Sequence, residues 1–415
     1  MIDQPLQPLT EPGRKFVALA EEHAADFATR AEQHDREGSF PQENIDALQK
    51  SGYLAGGVPA ELGGMGAEST YDLMVGMSRL ARGCASTAIA ANMHMSIVRE
   101  GTRLWRHREK APPTLGGAVE GLLRAVAGGQ LVACAPNTEA GTDLMSPMTE
   151  AKPVDGGYVV NGRKMFGTMS PAAQLMMVSA RVPKDDGTYD RALLIVPAAA
   201  PGVTIMNNWD AMGMRASGSH DIVFENVQLP AASVTPTSGW GLLEAGFIDQ
   251  AASVNFALVA CFLGIAEAAR DIAIEMVTTR RKGPKKKLLA ERIPIQQIIA
   301  EIEIDLAAGR AIVDRAGRMA ETYFAAYGPG EAPDDEANAL FKEQQAMKYV
   351  LQRNAISIVD KAMTVSGGAG YMSKSPLSRM YRDVRAGPFM QPFAPYEALE
   401  YIGKVTLGQP VQIDR

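Results

Sequence analysis

The sequence predicts an α+β protein in three consecutive parts: an N-terminal helical domain, a central antiparallel β domain and a C-terminal four-helix bundle. Three observations predict it. Apolar residues recur at helical spacing up to about residue 111, and short Val-, Ile- and Met-rich segments separated by Gly, Pro, Asn and Asp fill the stretch from about 130 to 236. Beyond Trp240 the helical pattern returns in longer amphipathic segments. The expected domains are therefore 1–129, 130–236 and 237–415.

In the first part Phe16, Leu19, Ala20 and Phe27 recur at near-helical spacing, Pro41 opens a second helix, and Gly52 is placed to end it. The stretch PAELGGMGAEST reads as a connecting turn, because Gly63, Gly64 and Gly66 do not form GxGxxG after a strand. Two apolar stretches, 71–81 and 85–98, suit buried helices. In the second part LVACAPN, GYVVNGRKMFGT, AQLMMVSARV, RALLIVPA, GVTIMNN and SHDIVFENVQL read as strands of a small barrel or sandwich. Asn161-Gly162 predicts a two-residue hairpin turn between YVV and RKMF, since both residues tolerate positive φ. In the third part helices are expected over 255–279, 295–326, 336–366 and 395–407, separated by the polar breaks GPKKKLLAERIP and GPGEAPDD.

Composition narrows the function. The chain has 415 residues, 46% hydrophobic content and a net charge of −6, and its basic residues are scattered apart from Lys285, Lys286 and Lys287. No broad basic face for nucleic acid is expected. With no uninterrupted apolar run near the roughly 20 residues of a membrane span and no charged-then-apolar leader, a cytoplasmic protein is expected. Cys84, Cys134 and Cys261 stand far apart and read as buried small hydrophobes. The five histidines form neither an HExxH pair nor a Ser-His-Asp signature, so metal and triad chemistry have no motif.

Five stretches in order carry more information: VPAELGGMG (58–66), AGTD (140–143), GYVVNGRKMFGT (157–168), AMGMRASGSHDIVFENVQLP (211–230), and GGAGY with RMYRD (367–383). Together they resemble the acyl-CoA dehydrogenase family of flavoproteins over almost the whole chain. The resemblance implies FAD with its ring between the β domain and the bundle, Phe166 packed against that ring and Thr168 donating near flavin N5. It places Thr142 where the family has a serine facing flavin and thioester. It also implies that Arg280 reaches the FAD diphosphate of a neighbouring subunit, and that Gly367 and Gly368 let backbone N–H groups approach it, hence a homodimer or homotetramer. Plainer readings stand beside these: KMFGT as a buried strand, Arg280 as a favourable cation at a helix C-terminus, the glycine turn as a helix cap. The chain departs from the family's pattern at Pro136-Asn137-Thr138, in place of TEP, and at Thr364, in place of a glutamine.

The largest departure concerns the base. Oxidation of an acyl thioester needs a carboxylate to remove the α-proton while hydride leaves to flavin N5. In the family that glutamate stands nine residues after the Arg of the Arg-Asp pair, where this chain has Gln391, and Tyr396-Glu397 follows six residues later. Glu397 is either the base on a lengthened loop or a first-turn residue of the last helix, favoured there by the dipole. The family's alternative acid position is Val254, and the neighbour expected to meet CoA phosphates is Asn255. Two functions follow. One is α,β-dehydrogenation of an acyl-CoA in fatty acid metabolism, with Glu397 catalytic and an electron-transfer flavoprotein as acceptor. The other is a monooxygenase or N-hydroxylase of the same fold, which takes reduced flavin from a reductase, uses oxygen and needs no glutamate.

Overall fold

A computed structural model describes residues 5–110 and 113–412; residues 1–4, 111–112 and 413–415, which the expected domains include, lie outside the described residues. Thr10 starts the first helix, α1 (Glu11–Ala28): its Oγ1 accepts the Gly13 amide at 3.0 Å, and Pro12 takes an early position where no amide is needed. Two short helices follow, α2 (Ala31–Glu37) and α3 (Gln42–Lys50), with Gly52 just beyond α3 in the left-handed region at φ 78°. The apolar stretches become α4 (Thr70–Gly83) and α5 (Ala85–Arg106), buried along nearly their whole length. A further helix, α6 (Pro113–Ala127), lies beyond the expected helical stretch.

The β part holds β1 (Ala133–Cys134), β2 (Glu150–Val154), β3 (Gly157–Gly167), β4 (Leu175–Pro183), β5 (Tyr189–Pro197), β6 (Val203–Ile205), β7 (His220–Pro230) and β8 (Val234–Gly239). The strand order is β6-β7-β3-β2-β4-β5-β8 with β1 beside β4, and pairing is antiparallel except where β4 meets β1 and β2. The expected turn at Asn161-Gly162 is corrected: both residues lie inside β3, where the pairing with β7 slips between Val160 and Gly162. A bulge uses the same backbone freedom as a turn. Thr149 lies so close that a Cβ on Gly162 would sit 2.4 Å from its Oγ1, while the real hairpin turn, between β2 and β3, carries Gly156 at φ 84°.

The third part consists of α7 (Ala245–Thr279), the small hairpin β9 (Arg281–Lys282) and β10 (Lys287–Leu288), α8 (Ile293–Ala326), α9 (Asp334–Ser366), α10 (Gly368–Tyr371), α11 (Pro376–Val384) and α12 (Pro395–Thr406). The helix α7 is long and apolar enough to cross a membrane, but 83% of its most apolar window is buried inside the protein, which makes it a core helix. It packs so close to α4 that a Cβ on Gly264 would sit 1.9 Å from the Ser78 carbonyl oxygen. About one turn along, the buried Glu267 of α7 and the arginines Arg79 and Arg82 of α4 pair at 3.1 and 3.0 Å, and Arg310 of α8 donates to it at 2.9 Å. The three cysteines are buried.

Between α11 and α12 the chain loops over the end of the bundle. Lys348, buried on α9, holds this loop by donating to the Phe393 carbonyl at 2.6 Å and to the Met390 carbonyl. Burial pushes its pKa from 10.5 down to about 8, with the Glu397 carboxylate opposing. The folded value lies below the unfolded one, so between pH 8 and 10.5 the unfolded chain binds more protons and this lysine makes stability rise with pH; below pH 8 it adds no slope. Relative to the wild type, Lys348→Met should lose that upward slope, on the order of 3 kcal/mol across the window, in urea titrations at the two pH values. Parallel stability curves for the two proteins would refute this assignment.

Candidate active site

A cavity of about 460 Å³ opens where α5, α7, the end of β3, the segment 209–219 and the loop 382–391 meet. Two of its lining residues, Phe166 and Met214, hold left-handed backbone at φ 53° and 52°. Such conformations are costly for side chains of this kind and persist where the surroundings enforce them, typically at functional sites. The Phe166 ring is 51% exposed, so it faces open space, and it meets Trp209 edge-on with centroids 5.8 Å apart. Trp209 is fixed in turn: its indole N–H donates to the Met214 carbonyl at 2.9 Å and its amide donates to His220 Nδ1 at 2.9 Å. A row of hydroxyls runs beside the ring, with Thr168 and Ser217 at 2.7 and 2.6 Å from Ser219 Oγ. Ile89, Met93 and Leu258 supply apolar wall from the helices.

The charges on this wall have one sign. Arg382 and Arg385 are the charged lining residues, and no carboxylate lines the cavity among the described residues. Arg382 bonds both Asp35 oxygens, at 2.8 and 2.5 Å, and this pairing raises its pKa above the usual arginine value. Its neighbour Asp383 accepts the Met214 amide at 2.6 Å, which ties the strained 211–214 segment to α11. The Arg385 side chain has no hydrogen-bond or ion-pair partner among the described residues.

The residues singled out in the sequence divide between several places. Phe166 and Thr168 line the cavity together. Thr142 lies off the wall, its hydroxyl donating to the Ser146 carbonyl at 2.5 Å, while Leu144 of the same loop does line it. Glu397 is also off the wall: in the first turn of α12 its Oε2 accepts the Ala394 amide at 2.7 Å. Gln391 lines the cavity instead. Arg280 is exposed at the C-terminal end of α7, its amide donating to the Met276 carbonyl at 3.0 Å. Gly367, at φ 59°, lines a separate open cleft of about 480 Å³ with Asp360, Thr364, Tyr381 and Arg382. A Cβ on Gly367 or Gly368 would meet nothing within 4 Å, so this chain leaves the space beside the turn open. Sequence reasoning missed Trp209, Arg385, Asn92 and Ser96. For the last two there was a signal, since they are polar residues four apart, on one face of the mostly apolar stretch 85–98.

An exposed aromatic ring, apolar walls and a row of hydroxyl donors suit the flat, amphipathic ring of a flavin. The chain matches three domains in order: acyl-CoA dehydrogenase N-terminal domain over residues 10–107, middle domain over 134–227 and C-terminal domain over 256–391. It is 32% identical to the L-evernosamine nitrososynthase of a Micromonospora species, covering 98% of this chain and 92% of the relative. It is 33% identical to the amino sugar nitrososynthase RubN8 of Streptomyces rubradiris, covering 96% and 91%. Among solved structures, KijD3 in complex with FMN and dTDP-3-amino-2,3,6-trideoxy-4-keto-3-methyl-D-glucose superposes with a TM-score of 0.90 at 31% identity, over 98% of this chain and 96% of that one. Butyryl-CoA dehydrogenase from Megasphaera elsdenii, at 24% identity and a TM-score of 0.82 over 97% of this chain and 100% of that one, shares the fold. The protein is a flavin-dependent oxidoreductase with a small-molecule substrate. With all three domains matched in order and relatives alike along nearly its whole length, the chain belongs to the acyl-CoA dehydrogenase family.

Proposed function

We propose that the protein is a flavin-dependent N-oxygenase of an amino sugar carried on a nucleotide, rather than a dehydrogenase of an acyl thioester. One observation carries this reading: the cavity holds Gln391 where a base is expected, and no carboxylate lines it among the described residues. An amide cannot accept an α-proton. Oxygen transfer to an amine asks for the opposite environment, one in which the nitrogen keeps its lone pair. Arg382 and Arg385 as the charged lining groups disfavour an ammonium ion in the cavity, and the unpaired Arg385 suits a diphosphate. The nitrososynthase names of relatives and the amino sugar nucleotide bound to KijD3 support the same substrate class. Fatty acid metabolism gains no support from them.

Bound in reduced form, the flavin supplies the two electrons with which dioxygen gives one oxygen atom to the amine nitrogen and releases the other as water. Phe166 and Trp209 provide a wall for the ring, and the hydroxyls of Thr168, Ser217 and Ser219 offer donors along its edge. Ile89, Met93 and Leu258 keep water from the nitrogen. The electron source is a flavin reductase, and an electron-transfer flavoprotein has no part. The exposed Arg280 and the open space beside Gly367 and Gly368 suit a cofactor diphosphate shared between two chains, hence at least a dimer.

With a flavin reductase, NADH and air, the protein should consume oxygen and convert a dTDP-3-amino-4-ketosugar to a product that has gained oxygen by mass spectrometry. Anaerobic bleaching of its flavin by butyryl-CoA would overturn the proposal. Glu397→Gln should leave the oxygenation rate within about twofold, since the side chain serves α12; a loss of about a hundredfold or more would return Glu397 to the chemistry. Arg385→Ala should raise KM for the sugar nucleotide about tenfold with kcat little changed, and an unchanged KM would rule out its phosphate contact.

A further inference from the structure

Asn92, Ser96 and Arg99 stand at positions i, i+4 and i+7 of α5, so one face of that helix carries all three. They line a chamber of about 10 Å³ between α4, α5 and α7, together with the polar Thr70 and Ser253 and the apolar Leu73, Met95, Val254 and Ala257. Asn92, Ser96 and Val254 line the main cavity as well, which makes the chamber its inner end. Its polar groups are out of balance with an ordinary core. Asn92 is 1% exposed and neither its amide nitrogen nor its oxygen has a partner among the described residues; the hydroxyl of the buried Ser253 has none either. Arg99, also buried, is within ion-pair distance of no carboxylate among the described residues. Its Nε donates to Thr70 Oγ1 at 3.1 Å, and its guanidinium lies 4.9 Å from the Phe324 ring centroid. Burial, helped by Arg103 and opposed at longer range by Glu100, Glu321 and Glu68, pushes its pKa down to about 10, so it remains charged at neutral pH.

Orphaned buried amides and hydroxyls and an unpaired buried cation each cost stability. A guanidinium, an amide N–H₂ and a hydroxyl around one space favour an oxygen with negative charge density, and the volume is about that of one oxygen or water. We propose, on the amine-oxygenation reading above, that this chamber is the subsite for a carbonyl oxygen of the amine substrate. Arg99, Asn92 and Ser253 hold that oxygen, and thereby fix the amine-bearing carbon in the main cavity. An acyl chain entering here leaves all three unsatisfied, so the chamber selects against apolar substrates.

The test compares Arg99→Met and Asn92→Leu with the wild type, as full-length flavin-loaded protein. The wild type should bind the dTDP-3-amino-4-ketosugar about tenfold or more tightly than its 4-deoxy analogue. Both variants should lose that preference while the ligand-free Tm rises, because an uncompensated polar group has been removed. A preference retained in both variants overturns the proposal, whatever happens to Tm. If the wild type binds neither sugar, the substrate reading fails by itself, and Tm then decides the subsite: a rise in both variants supports a ligand site, and a fall or no change overturns it.

Discussion

The buried carboxylate of Glu267 organises the helical half of this protein. It lies on α7 at 1% exposure and is met by Arg79 and Arg82 from α4 and by Arg310 from α8. A charge this deep is tolerated only when its hydrogen bonds are filled from several sides, and removal of any one partner leaves the rest uncompensated. Arg79 extends the network to α1 through Glu21 at 3.0 Å and to the Leu6 carbonyl at 2.7 Å. The first and third parts of the chain therefore share one electrostatic centre. Gly264, one turn earlier on α7, allows the close contact with α4 that brings these groups together.

That fixed register decides what the cavity wall looks like. The helices α5 and α7 present Asn92 and Leu258 from the bundle side, while the end of β3 presents Phe166 and Thr168 from the sheet side. The seam is closed by the Arg-Asp pair of α11. Arg382 reaches back to Asp35 of α2, and Asp383 takes the Met214 amide, so one dipeptide joins the first part, the 211–214 segment and the bundle. Strained backbone at Phe166 and Met214 persists because both sides of the seam are held independently.

The division into helices, sheet and bundle was legible in the sequence because the hydrophobic period changes at the right places, and the bundle helices begin and end within a few residues of their expected bounds except α7, whose start the pattern placed late. Asn161-Gly162 misled because a bulge and a hairpin turn ask for the same residues, and which one forms depends on the strand opposite. Phe166 and Thr168 were read from family motifs, and both line the cavity. Thr142 and Glu397 were read from the same kind of match, but their side chains are occupied locally, by the Ser146 carbonyl and the Ala394 amide. Spacing along a chain does not say which way a loop folds over a cavity. Lys348 illustrates why: it is forty-odd residues from the carbonyls it holds, and nothing in its local sequence reveals them.

On the proposed reading, the loop that Lys348 holds is where one fold hosts a base or dispenses with it. Gln391 lies between Met390 and Phe393, whose carbonyls the lysine grips, and the carboxylate that acts on this ammonium is Glu397. An acid in α12 offsets part of the cost of burying Lys348 while contributing no negative charge to the cavity wall. With Arg382 engaged by Asp35, Arg385 is left to set the potential inside. A carboxylate at position 391 would favour an ammonium ion there; an amide beside an arginine favours the neutral amine. On the proposed reading, the sign of the charge on the cavity wall, more than the fold around it, then separates proton removal from carbon and oxygen transfer to nitrogen.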